Sequence, residues 1–535
     1  MIDSLRMSVW QRVLGESVRR AYVLPALFLL IGLSLPDVFR SPDLVLKNED
    51  SFEYITGGRS ILQGVGYLGL SGRPQTVSPP GYPLAIGLAA TFSDPIKAAK
   101  TVSWLSSGLS VLLLFLIARD WFGTSVATVS ALIFSFLPLR VWLAQAALSE
   151  SLYVMLLLLA VLVAIRTRTS RMLPALGLGL ILGWAYLARP EAMILIGVLG
   201  FSMLVRFVRS RKEGRYIAAY ALGLMVVILP YVLWLSIQTG HFVVTGKGGG
   251  EIGRGIARFQ GKQDVLMRTL SKDDSAISIT RTSPGFREFI VHVARDLEQL
   301  KNLVLVNIGV QPIASVLLLL GLLEVFKRVL QGGLWYFGLL QIFFVLHLLL
   351  YTPFWVEQRL MYASSPALCV WMAVGAGALF KWIRQGWEES ARSRTFALAT
   401  VVTLVVAIVG SFAWKLRSTN ITDDKTHASQ EMARLVTQTS EQGNAGIIGD
   451  YPGVAFFAGI HHEWMPYCDL DQLRRFASIN HAPLIAFSDR DTLTPATAEL
   501  LAGNYDPEKS QFLGRVRYGS QDLRMFRLLP LVDGR

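Results

Sequence analysis

Two cysteines in 535 residues, Cys369 and Cys468, are too few and too far apart in sequence to staple a scaffold. Charge is scarce as well. Asp, Glu, Lys and Arg make up 17% of the chain, against roughly 25% in an ordinary soluble domain. Disorder needs low hydrophobicity with high charge, and an apolar fraction of 52% excludes it. A net charge of +13 brings nucleic acid to mind. The distribution excludes that partner, because the basic residues stand in short clusters between apolar runs.

Those runs are what the sequence has in quantity, and mean hydropathy is +0.45. A bilayer-spanning helix needs about 20 mostly apolar residues. Candidate spans lie near 21–36, 98–118, 124–140, 145–165, 172–188, 192–208, 216–237, 303–325, 334–352, 360–380 and 396–414. No small-residue cleavage site follows the first, and Pro36-Asp37 is expected to close it, so it reads as a retained helix. Cytoplasmic loops carry excess Lys and Arg. Arg6, Arg12, Arg19 and Arg20 precede helix one, Arg166, Arg168 and Arg171 follow helix four, and Arg206, Arg209, Arg211, Lys212 and Arg215 follow helix six. Lys327 and Arg328 follow helix eight, and Lys381, Arg384, Arg392 and Arg394 follow helix ten. With eleven spans every cluster falls on one side. The amino terminus is then cytoplasmic and the carboxy terminus external, in a multi-pass protein of the plasma or inner membrane. Residues 84–92 are too short to span. Behind Pro79-Pro80-Gly81-Tyr82-Pro83 they read as a helix on, or dipping into, the outer interface.

The expected architecture is an α-helical polytopic membrane region over 1–414, with external loops at 37–97 and 238–302, and a small external α/β domain over 415–535. In that tail, 445–449, 483–487, 512–518 and 523–529 have strand character, with Gly519-Ser520 as a turn between the last two. Helical spacing runs over 469–478 and 495–501. His461-His462-Glu463 invites a metal, but adjacent side chains on a strand point to opposite faces, and a helical pair needs i, i+4 spacing. In the second loop, Gly246-Lys247-Gly248-Gly249-Gly250-Glu251-Ile252-Gly253 matches a nucleotide fingerprint without the βαβ unit that fingerprint requires, and reads as a mobile loop. Arg254, Arg258, Lys262 and Arg268 follow it, placed for a lipid phosphate or for headgroups.

Acids gather at four external junctions. Glu49, Asp50 and Glu53 follow helix one, Glu150 sits in Leu148-Ser149-Glu150, Glu191 follows Arg189-Pro190, and Glu357 stands with Arg359 before helix ten. Ionisable groups at membrane depth are costly and mark function.

Asp50-x-x-x-Tyr54, Gly64-Val65-Gly66-Tyr67 and Pro79-Pro80-Gly81-Tyr82-Pro83 together resemble the first external loop of the polytopic GT-C glycosyltransferases. These include dolichyl-phosphate-mannose protein mannosyltransferases and aminoarabinose transferases of bacterial type. Ala118-Arg119-Asp120-Trp121-Phe122-Gly123 resembles their inner turn after helix two, and Leu148-Ser149-Glu150 their second acidic motif. Leu187-Ala188-Arg189-Pro190-Glu191 and Glu357-Gln358-Arg359-Leu360-Met361-Tyr362 are similar to further motifs, although Leu360 replaces the usual Tyr. The resemblance covers most of the chain. It implies an inverting transfer of a sugar from a polyprenyl-phosphate donor to a glycolipid, polysaccharide or protein acceptor at the outer face. It makes Asp50 the general base, with Glu49 as second choice, and has Glu150 orient the acceptor or donor sugar or assist as a second catalytic acid. Arg359 would face the leaving phosphate. Tyr54, Tyr82, Arg189, Glu191, Glu357, Tyr362, Arg254 and Arg258 would line the substrates. Some GT-C enzymes hold a divalent metal between two acidic motifs. Members with this pattern do without, and no cofactor is expected. The competing class is a transporter or flippase of a lipid-linked or anionic substrate. It would set its charges at the bilayer midplane, in repeats not found here.

Overall fold

The computed structural model describes residues 16–39, 45–46, 48–167, 171–211, 214–246, 311–330, 359–386, 391–418, 424–439, 446–489, 494–502 and 506–530, with shorter stretches within 269–299 and 345–349. The expected site residues Arg254, Arg258 and Glu357, and most of the span at 334–352, lie outside the described residues.

The first described helix is α1 (Glu16–Val38), which carries Pro36 inside its last turn and so runs two residues past the expected stop. The 37–97 connection carries two helices, α2 (Glu49–Leu62) and α3 (Gly81–Ala90). At 1.5 Å per residue the 10-residue α3 is about 15 Å long, half of a hydrocarbon core of about 30 Å. Next come α4 (Pro95–Phe122), α5 (Thr124–Phe136), α6 (Pro138–Leu143), α7 (Glu150–Thr167), α8 (Met172–Ala188), α9 (Met193–Arg209) and α10 (Gly214–Thr239). Pro138 divides the expected third span into α5 and α6, because a proline removes a helical donor and clashes with the preceding turn. After a two-residue ladder of β1 (Thr269–Leu270) and β2 (Ile277–Ser278) follow α11 (Gln311–Leu330), α12 (Ser365–Gly386) and α13 (Ala391–Ser418).

Five helices among the described residues are long and apolar enough to cross a membrane: Pro95–Phe122, Pro190–Val208, Gly214–Thr239, Leu360–Gln385 and Arg394–Arg417. Each falls on an expected span. Helices also occupy the positions of the expected spans at 21–36, 124–140, 145–165, 172–188 and 303–325. In lipid, where the hydrophobic effect does not draw helices together, close packing does. α8 and α10 meet at Gly179 and Gly223, where an added Cβ would lie 2.2 Å from Tyr220 O and 2.4 Å from Leu176 O.

The tail begins with α14 (Asp424–Thr439) and builds one mixed sheet from β3 (Ile447–Gly449), β4 (His462–Glu463), β5 (Leu484–Ser488), β6 (Ser510–Tyr518) and β7 (Gln521–Leu528). The order is β4-β3-β5-β7-β6, parallel at β4-β3-β5 and antiparallel beyond. α15 (Pro452–Ala458), α16 (Leu470–Ile479) and α17 (Pro495–Leu501) connect the strands. Sequence pattern missed β4, α14 and α15. A two-residue strand has no periodicity to read, and α14 is polar on balance. This layer docks on α2. Phe52 packs against Phe456 and Phe457 of α15, with ring centroids 5.2 and 6.0 Å apart.

One contact explains the Pro-Pro-Gly-Tyr-Pro motif. A Cβ on Gly81 would stand 2.4 Å from the Leu187 carbonyl carbon, so only glycine lets α3 begin against the end of α8, where Trp184 Nε1 donates to Gly81 O at 3.3 Å. Gly81→Ala is expected to cost about 1–3 kcal/mol through overpacking. Gly197→Ala, where nothing stands within 4 Å, is the control. Thermal unfolding in detergent checks it; equal midpoints would show that α3 does not depend on this approach.

Candidate active site

The site is assembled on the first turn of α2. Asn48 caps the helix, its Oδ1 accepting from Asp50 N at 2.9 Å, which sets Glu49 and Asp50 at the positive end of the helix dipole. Successive residues diverge around a helix, and these two acids part company. Glu49 turns to the tail and accepts from Lys425 Nζ of α14 at 2.7 Å. Asp50 turns to the membrane helices, where Arg359 Nη1 donates to its Oδ2 at 2.6 Å.

From Asp50 a ladder of alternating charge runs inward. Arg359 Nε stands 4.0 Å from Glu150 Oε1, which also accepts from Arg189 Nη1 at 2.8 Å. Arg189 Nη2 in turn donates to Glu191 Oε1 at 3.0 Å. Side-chain exposure drops from 46% at Asp50 through 18% at Arg359 to 4% at Glu150 and 6% at Arg189. Glu150 Oε2 is buried without a hydrogen-bond partner among the described residues. The local sequence makes this placement. Pro190 disfavours helical backbone at Arg189, and α8 ends there with Arg189 extended, at φ −153° and ψ 126°, and Glu191 enters a short 3-10 turn. Glu150 occupies the first turn of α7.

At the opposite ends of α4 and α7, Arg166 Nε pairs with Asp120 Oδ2 at 2.9 Å. The Asp120 and Glu150 motifs therefore lie at opposite ends of the bundle, as the alternation of spans requires.

Two comparisons bear on this arrangement. A family model described as dolichyl-phosphate-mannose-protein mannosyltransferase matches residues 77–234. Among solved structures, ArnT from Cupriavidus metallidurans bound to undecaprenyl phosphate is 13% identical, with 94% of this chain and 97% of that chain covered and a TM-score of 0.53. The oligosaccharyltransferase of Archaeoglobus fulgidus, tethered to an acceptor peptide, is 11% identical, with 88% of this chain and 70% of that chain covered and a TM-score of 0.55. Archaeal AglB from the same organism, in complex with an inhibitory peptide and a dolichol-phosphate, gives 11% identity over 88% and 69% of the two chains, with a TM-score of 0.52. No curated protein sequence matches the chain. ArnT and AglB are GT-C glycosyltransferases. This chain has the GT-C fold.

The matched family stretch holds Tyr82, Glu150, Arg189 and Glu191, while Asp50 and Arg359 join them only in three dimensions. Of the residues expected from sequence, the GT-C fold brings Asp50, Glu150, Arg189, Glu191 and Arg359 into one network. The three tyrosines lie below the surface. Tyr54, Tyr82 and Tyr362 are all buried. Tyr54 reaches Ser149 Oγ at 3.4 Å and meets the Tyr82 ring edge-on at 5.3 Å, and Tyr82 is fixed by Ser103 Oγ at 2.7 Å. Tyr362 stacks on Phe134 at 6.0 Å. Burial behind the acids makes them supports of the site. The adjacent histidines of the tail also serve the backbone: His461 Nε2 meets Asn480 O and His462 Nε2 meets Gly449 O, each at 2.9 Å.

Two residues went unread. His347 lies buried with Ser364 Oγ 3.4 Å from its Nδ1. A lone histidine in the apolar run 334–352 was the signal that could have found it. Glu53, counted among the acids but given no role, accepts from Leu70 N at 3.0 Å and Gln75 Nε2 at 2.9 Å and so holds the 67–75 loop on α2. Burial pushes its carboxyl above the usual range, with the nearby Asp50 charge adding to the shift and the two hydrogen bonds opposing it. The folded state then holds this proton more firmly than the unfolded one, and stability falls as pH rises through the raised value. Glu53→Gln keeps the acceptor oxygen and removes the ionisation. It is expected to melt at or above wild type at pH 8, with the gap closing toward about pH 4, where carboxylates are protonated. Thermal melts at the two pH values check this. A variant clearly less stable at pH 8 would show that the ionised form is needed.

Proposed function

We propose that the protein is an integral membrane glycosyltransferase that moves a sugar from a polyprenyl-phosphate donor to an acceptor hydroxyl at the outer face. The observation that carries this reading is the ladder from Asp50 to Glu191, drawn from four separate segments and opening to solvent at Asp50. Asp50 takes the proton of the acceptor hydroxyl as its oxygen attacks the anomeric carbon. The bond from that carbon to the phosphate oxygen breaks with its electron pair on the phosphate, and attack from the opposite face inverts the centre. Arg359 neutralises the departing lipid phosphate. A guanidinium has five N–H donors, so it can serve Asp50 and phosphate together. Glu150, held by Arg189, presents its second oxygen to a sugar hydroxyl. Arg189 also orders Glu191.

Asp50 is held by Arg359, and Glu150 and Glu191 by Arg189, and the mechanism routes no step through a metal. A carrier gathers charge at broken helices near the midplane. Asp50 and Glu150 instead open helices at one end of the bundle, which supports the transferase over the carrier.

Purified protein in nanodiscs, supplied with a cell-envelope extract as the source of acceptor, is expected to release polyprenyl phosphate from radiolabelled polyprenyl-phosphate sugars, and absence of release across a panel of donor sugars would overturn the proposal. For orientation, single cysteines engineered into 37–97 and 415–535 are both expected to react with an impermeant maleimide on intact cells. Labelling of one without the other would overturn the outward assignment.

A further inference from the structure

A second concave site lies apart from the ladder, in the seam between the first external loop and the tail sheet. It is a cleft of about 580 Å³ lined by Arg73, His461, Glu463, Ile479, Asn480 and His481 with adjoining residues of the 71–73 turn. That volume falls within the range of about 300–1,000 Å³ for small-molecule sites. Its polar groups are fixed in advance. Arg73 Nη2 donates to Glu463 Oε1 at 2.8 Å and to Asn480 Oδ1, and His461 Nε2 is engaged by Asn480 O. Ile479, almost half exposed, supplies an apolar wall.

The geometry points to a saccharide subsite, taking neutral, hydroxyl-rich sugar rings of the acceptor. It rests on the transferase proposal for its role and on the cleft for its chemistry. Three observations select that ligand class. The fixed cation and the fixed anion of the lining pair with each other, so the charge of the cleft is matched within its own lining and a neutral ligand needs no counter-ion there. The lining offers a guanidinium, a carboxylate, an amide and the His461 imidazole at fixed positions beside an apolar wall. Sugar rings carry hydroxyl donors and acceptors around their edges and C–H groups on their faces, and a few placed polar groups on an apolar surface suit them. A peptide would add to the sheet edge. That edge is β4, and its His462 N already donates to Leu70 O at 3.1 Å, so the loop occupies the place of an added strand.

The cleft is tied to the acids through the same residue. Leu70 N donates to Glu53, one turn along α2 from Asp50, so Leu70 bridges the active-site helix and β4. A glycan held at Arg73 and Ile479 is therefore held against the loop that Glu53 fixes.

The test uses the full chain in nanodiscs on an array of neutral and uronic-acid oligosaccharides, with inorganic phosphate and an unstructured peptide as competitors. Wild type is expected to bind at least one neutral di- or trisaccharide, with neither competitor displacing it. Arg73→Ala and Ile479→Asp are each expected to weaken binding by about tenfold or more, as loss of a charge-assisted hydrogen bond or an apolar face implies. Ile479 is exposed, so its variant decides the matter if Arg73→Ala misfolds. No neutral glycan bound, variants that bind as wild type, or displacement by phosphate or peptide would each overturn the proposal. Release of polyprenyl phosphate in the same nanodiscs reads the transferase separately. Release without glycan binding overturns the subsite alone, and glycan binding without release supports the subsite and overturns the donor chemistry alone.

Discussion

Asp50→Asn is expected to slow sugar transfer by about 10²–10⁴-fold, the usual contribution of a general base, or about 2.7–5.5 kcal/mol of barrier. Asparagine keeps the shape and an oxygen for Arg359 Nη1, so the arginine stays in place. Stability should hardly change, because the pair is half open to water at its acid end and exposed ion pairs contribute about 0–1 kcal/mol. Donor binding should hold or tighten, since Arg359 then has one carboxylate fewer competing with phosphate. Glu49→Gln is the internal control. Glu49 pairs with Lys425, both 43% exposed, and faces away from Glu150. It is expected to transfer within a few-fold of wild type. Transfer rate and polyprenyl-phosphate binding, measured on purified variants, separate the outcomes. Asp50→Asn within a few-fold of wild type and Glu49→Gln inactive would move the base one residue back, to the seam with the tail.

Much of this site was legible in sequence because its acids break rules of economy. Asp50, Glu150, Glu191 and Arg359 sit where apolar runs end, and each reads as a charge too close to the membrane edge. Arg189-Pro190 announces a helix end by backbone sterics alone, and the structure ends α8 there. What sequence could not supply is the pairing. Periodicity describes one element at a time, so the 309-residue separation of Arg359 and Asp50 leaves no trace in it. It also treated Asp50 as a loop residue. Asn48 as a cap before Glu49-Asp50 was the missed sign of a helix start. The packing of the tyrosines was illegible for a related reason. An aromatic in a motif looks like a substrate contact, while only packing reveals that Tyr82 is held between Ser103 and Ala99 O. β4 is specified by its neighbours, Ile447 and Leu70, and by nothing in its own two residues.

Arg189→Met carries the largest expected loss of stability. Glu150 and Arg189 are almost fully enclosed, and their bond at 2.8 Å offsets the cost of taking both charges out of water. Removing one partner leaves the other buried and unmatched, which costs about 3–5 kcal/mol, whereas replacing both is near neutral. Arg189→Met leaves Glu150 with Arg359, at 4.0 Å, as its remaining ion-pair partner among the described residues, and takes one partner from Glu191. The double variant Glu150→Gln with Arg189→Met removes the stranded charge and is expected to recover most of the loss, a coupling readable in a double-mutant cycle of thermal or SDS unfolding. If Arg189→Met alone unfolds like wild type, the pair is not buried as described and the inward ladder fails. The double variant also separates support from chemistry, because Asp50 and Arg359 remain in it. If Glu150 only props the helices, a refolded double variant transfers sugar normally. If Glu150 orients a sugar beside Asp50, transfer stays down on the order of 10²-fold although the protein is folded, since a misplacement of about 1 Å is enough for that loss.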